Sequence, residues 1–312
     1  MEKFLVTGGA GFIGSNICKK LIHQGCCVRV IDNLLTGKKE NLTPVLDKIE
    51  FMQADIGNEE SVRAAMKGID IVLHQAALPS VPKSVDNPYA THKNCVDATF
   101  LALLAARDAK VKRFVYASSS SAYGDTAVSP KVETIRPEPL SPYAVAKLVG
   151  EYYCSVFNKV FGLETISLRY FNVFGPNQDP TSQYAAAIPA FVTCILNNRP
   201  PTIFGDGEQS RDFTYVDNVV DANLLAARAK KTKGEVVNIA CGKAVTVNQI
   251  IDMINKILDK NIKPVYTARR PGDVKHSLAD ITAAKKLLNY QPQVSFEQGL
   301  RRAIDWYKNK LF

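Results

Sequence analysis

Residues 5–15 read LVTGGAGFIGS: an apolar run, a glycine-rich turn and the first residues of an amphipathic pattern. No other stretch restricts the fold as strongly. Gly8, Gly11 and Gly14 fall between an expected strand, KFLVTG, and an expected helix, FIGSNICKKLIHQ, which Gly25 stops. Glycines here let the backbone turn tightly and come close to a pyrophosphate at the helix N-terminus. Free N–H groups and the helix dipole favour negative charge at that point. A lone glycine pattern would be weak evidence; the strand before it and the helix after it supply the context.

The first half continues the alternation. CVRVID, IEFMQADI, DIVLHQAA, RFVYASS and ETISLRYF read as strands, and EESVRAAMKG, residues 94–109 and YAVAKLVGEYYCSVFNKVF as helices. Strands that are apolar throughout, separated by helices, imply a parallel sheet covered on both faces. Asp32 ends the second strand about twenty residues past the turn, where an acid binds adenosine ribose hydroxyls. Its carboxylate would repel a 2′-phosphate and Asn33 brings no positive charge, so NAD is expected over NADP. Asp55, which precedes IGNEE, is positioned either to reach the adenine or to cap the EESVRAAMKG helix. Past Asn172 the loops become rich in Pro and Gly. The expected fold is an α/β, Rossmann-type doubly wound parallel sheet with a smaller α/β substrate-binding lobe. The division is residues 1–171 and 172–312, with some later segments returning to the first domain.

The 312 residues carry 39 Lys plus Arg against 30 Asp plus Glu, a formal charge of +9. That balance is compatible with anionic ligands, but the basic clusters RAKKTK and Arg269–Arg270 are short and no nucleic-acid motif accompanies them. No nucleic-acid partner is expected. Seven scattered cysteines without a Cys-x-x-Cys spacing read as reduced thiols of a cytoplasmic protein, with no metal site. No secretory leader is expected, and no run approaches the ~20 apolar residues of a membrane span.

YAVAK places Tyr143 and Lys147 four residues apart on one helix face, after a Ser141–Pro142 start. Tyrosine is a poor base at neutral pH, with a reference pKa of about 10. A nearby ammonium would lower that value. Such a tyrosine can take a proton from a sugar hydroxyl while hydride moves to a nicotinamide. Upstream, SSSSAYG (118–124) offers four hydroxyls at the end of an expected strand.

TGGAGFIGS, SSSSAYG, YAVAK and LRYFNVFGP, in this order, resemble the extended short-chain dehydrogenases/reductases, and among them the nucleotide-sugar 4-epimerases. GDGEQSRDFTYVDNVVDA and RRPGDVKHSLAD extend the likeness through the second half. The resemblance implies tightly bound NAD, held by Gly8, Gly11, Phe12, Ile13, Gly14, Asp32, Asn33, Gly37, Asp55, Ile56, Gln75, Ala76, Ala77, Asn94, Tyr143, Lys147 and Tyr170. It implies catalysis by Ser119, Tyr143 and Lys147. Ser118 and Ser120 would alternate away from Ser119 if the strand continued, while Ser120 and Ser121 border the sugar. The UDP-sugar would also meet Ser80, Asn172, Ala186, Arg211, Arg270, Asp273 and Ser277, the two arginines clamping the diphosphate. Pro79 stands where some relatives carry glycine. A homodimer is implied, through a four-helix interface formed by residues 94–109 and 143–161.

The reaction implied is epimerisation at C4 through a 4-keto sugar that turns about its diphosphate. Related 4,6-dehydratases carry Asp-Glu directly after the Ser/Thr, and related decarboxylases a Glu at the position of Ser121. Here both places hold serine. Ser277, at the gatekeeper position, leaves room for an N-acetyl group, as do Ala185–Ala187. The expected substrates are UDP-GlcNAc and UDP-GalNAc, with UDP-glucose and UDP-galactose. The alternatives are a UDP-glucuronate 4-epimerase or another nucleotide-sugar-modifying extended short-chain dehydrogenase, such as a dehydratase or decarboxylase, and a non-catalytic NAD-binding regulator, which would not need Tyr143 and Lys147.

Overall fold

Seven parallel strands carry the architecture. The computed structural model describes residues 2–179, 187–269 and 275–311. The first half runs β1 (Lys3–Thr7), α1 (Phe12–His23), β2 (Cys27–Asp32), β3 (Glu50–Gln53), α2 (Glu59–Met66), β4 (Ile71–His74), α3 (Val81–Asp86), α4 (Pro88–His92), α5 (Ala98–Asp108), β5 (Arg113–Ser119), α6 (Pro142–Phe161) and β6 (Glu164–Tyr170). The second half runs β7 (Val173–Phe174), α7 (Ala187–Leu196), β8 (Thr202–Phe204), β9 (Ser210–Asp212), β10 (Thr214–Tyr215), α8 (Val216–Ala227), β11 (Glu235–Ile239), β12 (Ala244–Thr246), α9 (Val247–Leu258), β13 (Val265–Thr267), β14 (His276–Ser277), α10 (Thr282–Leu288) and α11 (Phe296–Leu311).

The main sheet has the order β11-β6-β5-β4-β1-β2-β3. Its topological switch lies between β1 and β4, where ligands of open parallel sheets bind beyond the strand ends. β11 and α8 come from the second half of the chain yet join this sheet and its cover.

Period-2 alternation explains why the strands are apolar throughout. Phe4, Val6, Val28, Val30, Leu73 and Val115 pack on the side of α1 and α8. Leu5, Ile31, Val72, Phe114 and Tyr116 pack on the side of α2, α5 and α6. Helix ends follow local chemistry. Ser141 Oγ accepts from Ala144 N at 3.2 Å, Pro142 occupies the first turn, and Gly162 closes α6 in a left-handed conformation. Asn58 caps α2 by accepting from Ser61 N, so the cap there is not Asp55.

The helix expected over 94–109 begins differently: residues Lys93–Asp97 form a π turn that leads into α5. Such bulges cluster at functional sites, and this one carries Asn94 and Cys95. Residues 39–48, without an expected element, form a 3₁₀ segment. Among the described residues no helix is long and apolar enough to cross a membrane.

Candidate active site

One continuous cavity of about 1900 Å³ runs along the C-terminal ends of the sheet strands and into the second lobe. The glycine-rich turn forms its floor. Gly8 has φ +65°, and a Cβ there would lie 2.8 Å from the Ala76 backbone. A Cβ on Gly14 would lie 2.3 Å from the Gly8 carbonyl. The turn is therefore locked against α1 and the β4 loop, while Gly11, Phe12 and Ile13 line the cavity. Asp32 is buried at its edge, its oxygens accepting from Ala10 N at 2.9 Å and Leu34 N at 2.8 Å. Burial raises its pKa, and those two N–H groups oppose the rise. Asp55 holds Gly57 N at 2.7 Å and Asn33 Nδ2 at 3.1 Å. Asn33, Gly37, Ile56, Gln75, Ala76, Ala77 and Asn94 all line the same cavity. The cradle thus has the shape and donors for a dinucleotide.

Behind Ala76 lies a closed hydrogen-bond chain. Thr99 Oγ1 donates to Cys95 O at 2.7 Å, so at 3.0 Å it accepts the His74 Nε2 proton. His74 Nδ1 is then an acceptor for Thr7 Oγ1 at 2.8 Å, and Thr7 Oγ1 accepts from Ala76 N at 3.2 Å. Every polar atom is served only if His74 is neutral. Burial, helped by the charge of Lys147, pushes its pKa down to about 3. The chain ties the Ala76 turn to β1 and to the π turn.

Tyr143, Lys147 and the serine run meet at the end of β5. Lys147 is buried, and its Nζ donates to Ala117 O at 2.8 Å, 5.9 Å from the Tyr143 ring centroid. β5 stops at Ser119, and residues Ser120–Tyr123 form a 3₁₀ turn. Ser120 therefore leaves the strand instead of alternating along it. Ser119 Oγ accepts from Ser121 N at 3.2 Å and from Ser121 Oγ at 2.9 Å. That leaves the Ser119 proton for Tyr143, whose pKa Ser119 lowers. Sequence reasoning expects Lys147 to lower the Tyr143 pKa. In the protein by itself the Tyr143 pKa lies above the usual tyrosine value, because desolvation outweighs the hydrogen bond from Ser119. The Lys147 ammonium is engaged by a carbonyl and is itself depressed by burial.

The second lobe closes the other wall. Asn172 has φ +36° and donates from Nδ2 to Asp212 O at 2.9 Å. Arg211 lies on β9, its guanidinium donating to Ser210 O and Lys275 O, each at 3.0 Å. Ser277, on β14, pairs in register with Arg211. Both line the cavity, as do Ser80, Ser120 and Ser121. Ser80 also caps α3 through Lys83 N. Ala186, Arg270 and Asp273 lie outside the described residues.

Sequence reasoning missed several neighbours of the site. Asn223, fully buried on α8, donates to Tyr170 Oη at 2.8 Å and accepts from Gln75 Nε2 at 3.0 Å. Its one available signal is an amide within the apolar pattern VVDANLLAA. Lys131 and Trp306 also line the cavity. Among the described residues no cluster of His, Cys, Asp or Glu could hold a metal ion.

The sequence model of the NAD dependent epimerase/dehydratase family matches residues 4–240. A putative UDP-glucose 4-epimerase of Methanocaldococcus jannaschii is 40% identical over 307 residues, covering 98% of each chain. A UDP-glucuronate 4-epimerase of Thermodesulfobacterium geofontis is 35% identical over 322 residues, covering 100% of this chain and 98% of its own. The solved structure of a UDP-N-acetylglucosamine 4-epimerase of Methanobrevibacter ruminantium, in complex with UDP-N-acetylmuramic acid, superposes with a TM-score of 0.95 at 40% identity, covering 99% of both chains. With its glycine turn, buried Asp32 and end-to-end likeness to these proteins, the chain belongs to the NAD-dependent epimerase/dehydratase family, and NAD is the cofactor that its cradle accommodates.

Proposed function

We propose that this protein is a UDP-sugar 4-epimerase that interconverts UDP-GlcNAc with UDP-GalNAc, and UDP-glucose with UDP-galactose. The observation that carries the reading is that Ser119 and Tyr143 line the dinucleotide cavity together, in a turn that holds serine and no carboxylate at positions 120 and 121. Elimination or decarboxylation needs a further proton carrier there; epimerisation does not.

Bound NAD would supply the acceptor and then the donor of the C4 hydride and, when oxidised, a positive charge in the cradle. Tyr143, its desolvation offset by that charge, reaches the phenolate form and takes the O4 proton. Ser119, pinned by two hydrogen bonds from Ser121, donates to the phenolate and orients O4. Lys147 holds its ammonium beside this group through Ala117 O. Arg211, with Arg270 and Asp273, would grip the UDP while the keto sugar turns, and Ser277 leaves space for an acetamido group. Cofactor release between the two hydride steps would end the cycle, so tight retention of NAD is part of the proposal.

We further propose a homodimer through α6 and α5. Val145, Tyr152, Val156 and Val160 form an exposed apolar stripe along α6, and Phe100, Leu101 and Leu104 of α5 are only partly buried. Seven free cysteines fit a reducing, cytoplasmic setting. The test is incubation of the purified protein, without added NAD, with each UDP-sugar, and NMR of the products. C4 epimers of the acetamido and neutral sugars are expected; conversion of UDP-glucuronate alone would overturn the substrate assignment.

A further inference from the structure

Lys131 is a buried cation to which the reaction described above gives no work. Its side chain lines the catalytic cavity although the residue is only 3% exposed. Its backbone is fixed from both sides. The N–H donates to Leu278 O at 2.8 Å, and the carbonyl accepts from Asp280 N and from Asn238 Nδ2, each at 2.9 Å. These bonds, with a parallel bridge to Ala279, set Lys131 beside the segment that carries Ser277. The Nζ donates to Thr126 O at 3.2 Å and lies 5.9 Å from the Tyr123 ring centroid. Tyr123 and Thr126 belong to the chain that leaves the Ser119 turn. Lys131 thus links the chain that leaves the Ser119 turn to the segment that carries Ser277.

Its electrostatic surroundings are incomplete. Among the described residues its hydrogen-bond partner is a neutral carbonyl, and no carboxylate forms an ion pair with it. Asp125 acts on it through space and favours the charge, while Arg211 opposes it. Burying a cation without a counter-charge is costly unless something else supplies strong acceptors. One carbonyl uses one of three ammonium donors.

We propose that Lys131 is a specificity-determining residue of the substrate pocket, its ammonium receiving a carbonyl or carboxylate oxygen carried on the sugar ring next to Ser277. The assignment rests on the UDP-sugar reading above. Acetamido and uronate sugars both supply such an oxygen; glucose and galactose do not.

The test is isothermal titration of the NAD-loaded protein and of Lys131→Met with UDP, UDP-glucose, UDP-GlcNAc and UDP-glucuronate. UDP and UDP-glucose should bind both proteins within about twofold. At least one of the other two should weaken roughly 10- to 100-fold, as for loss of a charge-assisted hydrogen bond. Loss on UDP-GlcNAc identifies an acyl oxygen, and loss on UDP-glucuronate a carboxylate; either supports the proposal. An equal loss on UDP itself would place Lys131 on the diphosphate and overturn it, as would unchanged binding of all four. The wild-type protein gives a check that does not depend on how the variant folds: it must bind UDP-GlcNAc or UDP-glucuronate more tightly than UDP-glucose. Binding of UDP with no such preference overturns this assignment alone; no binding of UDP overturns the function as well.

Discussion

Glu151 and Arg169 face each other through two charge-assisted hydrogen bonds, Arg169 Nε to Oε1 at 2.8 Å and Nη2 to Oε2 at 2.7 Å. Their side chains are 2% and 3% exposed. The pair lies beside the serine run, where Glu151 also meets Ser118. Ser118 donates to Glu151 and pairs in register with Arg169; Ser119 pairs with Tyr170. Glu151 thus holds Ser118 against α6, while Ser119, where β5 stops, accepts from Ser121.

Removing one partner leaves a buried charge unmatched. Glu151→Ala should destabilise the protein by about 3–5 kcal/mol in urea unfolding. The double variant Glu151→Met/Arg169→Met should recover much of that loss, because no charge is then stranded. A double variant as unstable as the single one would show that the pair contributes more than mutual neutralisation.

Tyr143→Phe removes the proposed base while keeping the ring. Turnover should fall on the order of 10²–10⁴-fold, with UDP-sugar affinity changed only a few fold. Ser119→Ala should lower kcat more than it raises KM, because its hydrogen bond to Tyr143 strengthens as the phenolate forms. Full activity in Tyr143→Phe would remove the assigned base.

The sheet was legible because Phe4, Leu5 and Val6 are all apolar, and period 2 sends them to opposite faces. The glycine turn was legible because Gly8 and Gly14 meet backbone that no side chain can approach. The π turn was not, since a one-residue shift in backbone bonding leaves Asn94 and Cys95 in a helical pattern. Asn223 and Lys131 were hidden for a different reason: their partners, Gln75 and Tyr170 for one and Leu278 for the other, are remote in sequence. The place of Ser120 stayed open because a strand pattern does not tell where the strand stops; β5 ends at Ser119, and Ser120 lines the cavity. The raised Tyr143 pKa is not legible in the spacing of YAVAK, because it comes from burial.

Ser277 is buried and pairs with Arg211 across β14 and β9. A tyrosine there would fill the adjoining part of the cavity. Ser277→Tyr should lower kcat/KM for UDP-GlcNAc roughly 10- to 200-fold and leave UDP-glucose within a few fold. Equal rates on the acetamido sugar before and after the change would dismiss the gatekeeper.

Tyr152, 58% exposed, stands in the middle of the α6 stripe. Tyr152→Asp places a charge where two copies are proposed to meet. Light scattering on a sizing column should move from twice the chain mass to 34.3 kDa. A wild-type protein already at 34.3 kDa would refute the dimer.

His74 gives a pH dependence whose sign is fixed by its hydrogen bonds. The folded protein holds it neutral with a pKa of about 3, against 6.5 when unfolded. Between these values the unfolded chain binds more protons, so stability rises with pH. The His74 contribution is fully present above pH 6.5 and is lost as pH falls, at up to about 1.4 kcal/mol per pH unit. Asp212 acts in the opposite sense. Burial raises its pKa to about 6, so its share of stability grows as pH falls from 6 toward 3.8. A wild-type pH profile therefore mixes the two, and comparison with His74→Asn separates them. The variant should be less stable than wild type at pH 7.5, and the gap should shrink steadily toward pH 4 in urea melts. A gap that stays constant across that range would mean that His74 is not the neutral bridge between Thr7 and Thr99.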